Sequence, residues 1–383
     1  MVDSIVVNSD FDGGNIICDN ADTPSNIQLR IAHDNNSEFF QWFYFSVTGS
    51  AGEARSMHIN NAADAAYVGG WEDYRACVSY DKETWFRIDT VYENGVLSIH
   101  HIPENDVTYY AYFAPYSMAR HAELISRTEL DPRVQASVLG QTLDGQNVDL
   151  LTIGEPASGK LTYWITARQH PGETMAEWWM EGFIDRLLDP NDEIAVSLLK
   201  KGVFKLIPNM NPDGSKRGHL RTNAKGMNLN REWDKTTVEN SPEVFYVLNA
   251  MRETGVDFAL DVHGDEALPY AFIAGTEGVP SFSKNSAALL DAYKGALVMA
   301  NRHFQTEHGY PVNAPGTANL GLCSNFLAET FKCLAMTLEM PFKDNANIPD
   351  LNYGWSITRS RQLGADCLQA IYDIEGKIRA SRL

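Results

Sequence analysis

Leu161-Thr162-Tyr163-Trp164-Ile165-Thr166-Ala167, then Arg168-Gln169-His170-Pro171-Gly172-Glu173, then Thr174 to Leu188, is the stretch that decides the fold. The first seven residues are apolar and β-branched or aromatic, as a buried strand requires. Pro171-Gly172 supplies a turn, and Met175, Trp179, Phe183 and Leu187 then recur at helical spacing. Strand, turn and helix alternate again downstream. Val203 to Ile207 reads as a strand, and Ser241-Pro242 opens a helix as N-cap and first-turn proline. Val256 to Val262 and Leu334 to Met340 are further strands, the latter closed by Pro341. Leu363, Cys367, Ile371, Ile374 and Ile378 mark a final amphipathic helix. The pattern predicts an α/β domain, a mostly parallel or mixed sheet flanked by helices.

Upstream the period changes. Phe39 to Val47 is aromatic and β-branched and stops at Gly49. Thr84 to Tyr92 alternates, turns at Asn94-Gly95 and resumes at Val96 to Ile99, which is a hairpin signal. Several short strands with turn residues between them predict an all-β antiparallel sandwich. The expected division is residues 1–117 for the sandwich and 118–383 for the α/β domain, with the change of pattern near Pro115.

At 383 residues and 44% hydrophobic content, two globular domains are the natural expectation. Lys and Arg number 31 against 50 Asp and Glu, a formal charge of −19. That balance opposes nucleic-acid binding and docking on anionic lipid. Met1 to Val7 shows neither a basic region nor an apolar core of a secretory leader, and no run has membrane-spanning length. Cys18, Cys77, Cys323, Cys333 and Cys367 show no CxxC spacing and are expected as small buried thiols. Together these features predict a soluble cytoplasmic protein; its oligomeric state is left open.

His-x-x-Glu presents two ligands on one side of a helical turn, but about one such pair arises by chance in a chain like this. There are three: His101/Glu104, His170/Glu173 and His263/Glu266. Position in the fold selects among them, because ligands bind beyond the carboxyl ends of parallel strands. His170 follows one strand, His263 ends another and Glu339 lies near the end of a third. His101/Glu104 falls in the sandwich beside Pro103 and reads as a solvated loop. His263 taken alone fits a core histidine, and Glu339 alone fits a buried ion pair. Their convergence with His170 and Glu173 favours a metal site. Two imidazoles and a carboxylate suit zinc with an open position for water, and also suit non-haem iron. Glu339 is the candidate general base.

Between Asp213 and Glu232 lie Lys216, Arg217, Arg221, Lys225 and Arg231, with no acid among them. At the chain's average (31 of 383) these 18 residues would hold one or two basic groups. Arginine matches a carboxylate bidentately, so the excess suggests a carboxylate-bearing substrate. Lys216 and Lys225 read as a solvated basic loop.

His170-Pro171-Gly172-Glu173, Pro208 to Gly214, Asn228-Leu229-Asn230-Arg231-Glu232-Trp233, His263-Gly264 and Thr337-Leu338-Glu339, in this order, resemble the zinc carboxypeptidase superfamily. Phe11-Asp12-Gly13-Gly14-Asn15, Gln41-Trp42-Phe43-Tyr44-Phe45 and Ala114-Pro115-Tyr116-Ser117 resemble its cytosolic carboxypeptidase branch, in which a β-sandwich precedes the catalytic domain. The resemblance implies a single zinc ion bound by His170, Glu173 and His263, with Glu339 as general base and acid. It implies that Arg221 stabilises the oxyanion and that Asn230 and Arg231 hold the substrate's terminal carboxylate. The implied activity is removal of a C-terminal residue from peptides or protein tails by zinc-activated water. Eukaryotic relatives of the branch remove glutamates, which carries an expectation of an acidic terminal residue.

Many carboxypeptidases place a tyrosine on a mobile loop some twenty residues before the catalytic glutamate. Pro315 to Phe326 contains none, and Tyr310 lies farther off. Two other readings remain. A deacylase or cell-wall peptide amidase would keep the metal site and Glu339 without needing a terminal carboxylate. A non-catalytic binding protein would carry the site as a vestige.

Overall fold

The computed structural model describes residues 5–381. Met1 to Ser4, part of the segment read as lacking a leader, lie outside the described residues. Ten short strands form two five-stranded sheets in the first 111 residues. In one, the order is Val6–Asn8, Tyr44–Thr48, Val107–Ala111, Cys77–Ser79, Phe86–Arg87. The other runs Ile17–Asn20, Ile27–Arg30, Arg55–Ile59, Val96–His101, Thr90–Glu93. Their apolar faces share one core that includes Phe45 and Val47 from the first and Met57 and Ile99 from the second. Arg55, 1% exposed, crosses that core to donate to the Tyr110 hydroxyl at 3.3 Å.

Three expectations for this region change. Phe39 to Phe43 is not strand, and regular pairing begins only at Tyr44. Thr84 to Tyr92 divides into two strands in different sheets, because the chain crosses over at Ile88-Asp89. Ile27–Arg30 pairs with Arg55–Ile59 in parallel, the one departure from antiparallel pairing in these two sheets. The Asn94-Gly95 hairpin is as expected. Glu93 faces Val96, and both turn residues have positive φ, 52° and 84°, as a tight two-residue turn between twisted strands demands.

The remainder carries a seven-stranded mixed sheet. Leu161–Ala167 lies between Gly202–Ile207 and Phe258–Asp265, and Phe258–Asp265 is next to Leu334–Pro341, all mutually parallel. Val134–Gln141, Asn147–Ile153 and Phe272–Ala274 join antiparallel at the edges. Alternation of side chains divides the core: Tyr163 and Ile165 face one cluster, and Trp164 faces another with Ile207, Trp233 and Val247. Met175–Leu187 is buried almost all round rather than along one stripe, being packed by the sheet, by the Ala114 segment and by helix Ile357–Ser381. A Cβ on Gly182 would meet Arg361 O at 2.1 Å, and one on Gly364 would meet Trp179 O at 2.0 Å. Only glycine at both positions lets these helices touch backbone to backbone.

Pro242 does open a helix, Pro242–Thr254, but Ser241 Oγ binds Thr236 Oγ1 and makes no cap. Cys77, Cys323 and Cys367 are buried as expected, whereas Cys18 is exposed on a sheet-edge strand. Among the described residues, no helix is long and apolar enough to cross a membrane.

Candidate active site

The turn Arg168 to Glu173 leaves the strand with Arg168 in the left-handed region, φ 57°, a costly conformation for a non-glycine residue. Its guanidinium offsets that cost by donating to Pro171 O at 2.9 Å, Tyr116 O at 2.8 Å and Glu177 Oε2 at 2.7 Å. A Cβ on Gly172 would meet Leu220 O at 3.0 Å, so a larger residue would press on the backbone there. The loop thus delivers His170 and Glu173 to the same point.

His263 arrives from the neighbouring strand. One donor atom each from His170, Glu173 and His263 lies within 4.8 Å of the others, and all three residues are buried. The Nδ1 atoms of the two rings are 3.2 Å apart, and Glu173 places Oε1 at 2.6 Å from His170 Nδ1 and Oε2 at 2.7 Å from His263 Nδ1. Each outer ring nitrogen is engaged elsewhere. His170 Nε2 meets Asn228 Oδ1 at 3.1 Å, and His263 Nε2 meets Asp261 Oδ2 at 2.8 Å. Partners on the outer nitrogens fix tautomer and ring orientation in the manner of metal-binding histidines. The donor set and these partners fit a zinc ion.

Glu339 stands directly across from His263 in the parallel register. Its Oε2 is buried without a hydrogen-bond partner. Burial raises its pKa well above the carboxylate range; His263 opposes this, and Glu173, Asp265 and Glu266 add to it. Burial and then the charge of Arg221 lower His170 to about 4. Burial opposes the charged forms of Glu173 and His263, yet attraction to their partners lowers the first and raises the second.

The basic segment divides by direction. Arg217 pairs with Asp144 at 2.7 Å, and Lys225 Nζ donates to Glu239 O at 2.9 Å and Asn240 Oδ1 at 2.8 Å. Arg221 lies over the Phe39 and Tyr67 rings, and Arg231 Nη1 donates to Asn230 O at 2.6 Å. Asn230 Nδ2 is 3.5 Å from His263 Nε2, and its Oδ1 accepts from Cys323 N at 2.8 Å. A cavity of about 460 Å³ opens beside Glu339 and Asn230, with Ser324 and Thr337 hydroxyls 3.0 Å apart on its wall. Tyr310 lines the same cavity and donates to Asp265 Oδ2 at 2.6 Å. A larger cavity, about 700 Å³, lies away from the metal ligands, lined by Arg75, His100 and Lys343 among others.

His101 is not in a solvated loop. It ends a strand, its ring bound to Tyr110 at 3.0 Å and Tyr80 at 3.3 Å, and burial lowers it to about 4. Glu266 is buried but does not join the three-residue cluster. Asp261 and Asn228 were missed by sequence reasoning. Asp261 had a signal, since residues two apart on a strand share a face with His263.

Comparison with known proteins places the chain in a family. Residues 7–113 match the cytosolic carboxypeptidase N-terminal domain, and residues 123–361 match zinc carboxypeptidase. An uncharacterized protein of Zymomonas mobilis is 51% identical over 371 residues, 97% of each chain. A metallo-carboxypeptidase from Pseudomonas aeruginosa, solved in complex with (2-guanidinoethylmercapto)succinic acid, is 42% identical with TM-score 0.95, covering 97% of this chain and 100% of that one. Human cytosolic carboxypeptidase-like protein 5 is 31% identical over 265 residues, 53% of this chain but only 29% of that longer protein. The chain belongs to the zinc carboxypeptidase family and is a metallocarboxypeptidase carrying the amino-terminal domain of the cytosolic branch.

Proposed function

We propose that residues 118–383 form the catalytic domain of a cytoplasmic enzyme that removes the last residue of peptides or protein tails, with 1–117 as its sandwich. The observation that carries this reading is the unpartnered Glu339 Oε2 beside a converged His170, Glu173 and His263. One zinc ion held by those three would polarise the scissile carbonyl and acidify a water. Glu339 Oε2 takes the water proton and passes it to the leaving amine. Arg231, with Asn230 beside it, binds the terminal carboxylate, which no titration of the guanidinium can release. Arg221 meets charge that develops only in the transition state, the kind of contact that raises kcat.

The terminal side chain enters the cavity beside Glu339. The expected preference for an acidic residue finds little support there. Lys294 is the cavity's lysine, 3.7 Å from Glu277, and Asp291 and Glu307 line the same wall. These charges favour a neutral or basic terminal residue over an acidic one. The guanidino compound bound by the Pseudomonas relative is consistent with that choice.

Peptides ending in lysine, leucine and glutamate, each with a free or amidated terminus, test the assignment. Free-terminus peptides are cut, amidated ones are not, and glutamate is the poorest. Equal cleavage of amidated peptides would instead favour a deacylase or amidase. Arg231→Ala should raise KM for the free-terminus peptide with a smaller change in kcat.

A further inference from the structure

The sandwich reaches across to Arg221 twice. Asp34 Oδ1 accepts Leu220 N at 2.6 Å, and its Oδ2 accepts Arg221 N at 2.8 Å and Thr222 N at 2.9 Å. Farther along, the guanidinium of Arg221 lies 5.5 Å from the Phe39 ring and 5.4 Å from the Tyr67 ring, both cation–π distances. Tyr67 is itself fixed. Gln41, fully buried, accepts Tyr67 N at 2.8 Å and donates to Tyr67 O at 3.0 Å and Tyr112 Oη at 3.0 Å.

We propose that Phe39 and Tyr67 are positioning residues that aim Arg221 at the reacting carbonyl, making the sandwich part of the catalytic apparatus. This rests on the reading of Arg221 as the oxyanion partner. A long, rotamer-rich side chain pays entropy each time it must find one geometry. Two aromatic faces and a carboxylate that grips its backbone remove most of that freedom before substrate arrives. The benefit is realised in the transition state, so it belongs in kcat rather than KM.

The test uses the full-length zinc enzyme and a phosphonate peptide that mimics the tetrahedral state, with calorimetric binding as a readout besides turnover. Tyr67→Leu should lower kcat and weaken phosphonate binding about tenfold, leaving KM and zinc content unchanged. Tyr67→Phe, which keeps the ring, should restore both to within about twofold. Phe39→Leu provides an independent variant should Tyr67→Leu be unstable. In an Arg221→Ala background neither leucine variant should weaken phosphonate binding further. Equal weakening with and without Arg221, or none in either leucine variant, overturns the clamp while leaving the role of Arg221 intact. If Arg221→Ala itself leaves phosphonate binding unchanged, the oxyanion reading fails and the clamp fails with it.

Discussion

Asp34, in the amino-terminal sandwich, accepts the backbone N–H of Arg221, 187 residues later, at 2.8 Å. The same carboxylate also takes Leu220 N, Thr222 N and, at 3.1 Å, the Thr222 hydroxyl. Three successive amides converging on one buried carboxylate form an anion-binding concavity filled by the protein itself. Asp34→Asn keeps the shape but turns an NH2 group toward donors that need an acceptor. The expected loss is about 2–3 kcal/mol of folding stability, the cost of buried donors left unmet, read as a lower midpoint in urea unfolding. A variant as stable as the parent would mean the concavity is dispensable.

Asp261 is a second residue whose role emerges from geometry. It accepts from His263 Nε2 at 2.8 Å, Gln169 Nε2 at 2.5 Å and Thr166 Oγ1 at 2.7 Å, so it sets both the angle and the tautomer of one ligand. Asp261→Asn should weaken zinc binding about 10- to 100-fold, measured by competition with a chromogenic chelator. Asn228→Ala should act the same way through His170 Nε2. Unchanged metal affinity in both variants would mean that the ligands alone set the site.

Much of this was legible in the sequence because local pattern and chemistry coincide along the central strands. Leu161 to Ala167 was placed residue for residue, since an apolar β-branched run bounded by a Pro-Gly turn has few other solutions. The helix after it was also located, although its full burial was not, because that depends on a partner helix 180 residues away. His170, His263 and Glu339 could be gathered because each sits at or just past a strand end, and Glu173 follows His170 by three residues in the same turn. The contributions of Asp34, Phe39 and Tyr67 were invisible, for no periodicity links a sandwich loop to a residue nearly two hundred positions later. Phe39 belongs to an aromatic, β-branched run that predicts a strand, yet it lies in irregular chain with its ring 5.5 Å from the Arg221 guanidinium.

Glu339→Gln separates metal binding from chemistry. The amide matches the acid in shape and does not ligate in the proposed site, so zinc content should be unchanged. Removing the proton acceptor should lower kcat by at least about a hundredfold. An activity within severalfold of wild type would take Glu339 out of proton transfer and leave the orphaned Oε2 to be explained by packing.

His121 gives a pH signature outside the metal ligands themselves. Both ring nitrogens face carboxylates, Nδ1 at 2.6 Å from Glu177 Oε1 and Nε2 at 3.1 Å from Asp149 Oδ2, an arrangement that suits imidazolium. Burial opposes the charge, but the two acids outweigh it and raise His121 to about 9. A folded pKa above the unfolded value stabilises fully below pH ~6.5 and loses that contribution as pH rises through ~9. The shift corresponds to roughly 3 kcal/mol. Unfolding free energies of wild type and His121→Gln, measured from pH 6 to 10, should therefore converge as pH rises, with most of the change between 6.5 and 9. Because Glu177 also holds Arg168 at 2.7 Å, and Arg168 sets the turn before His170, the charged cluster links this titration to the loop that presents two metal ligands. A constant difference between the two proteins across that range would show that His121 is neutral in the folded state.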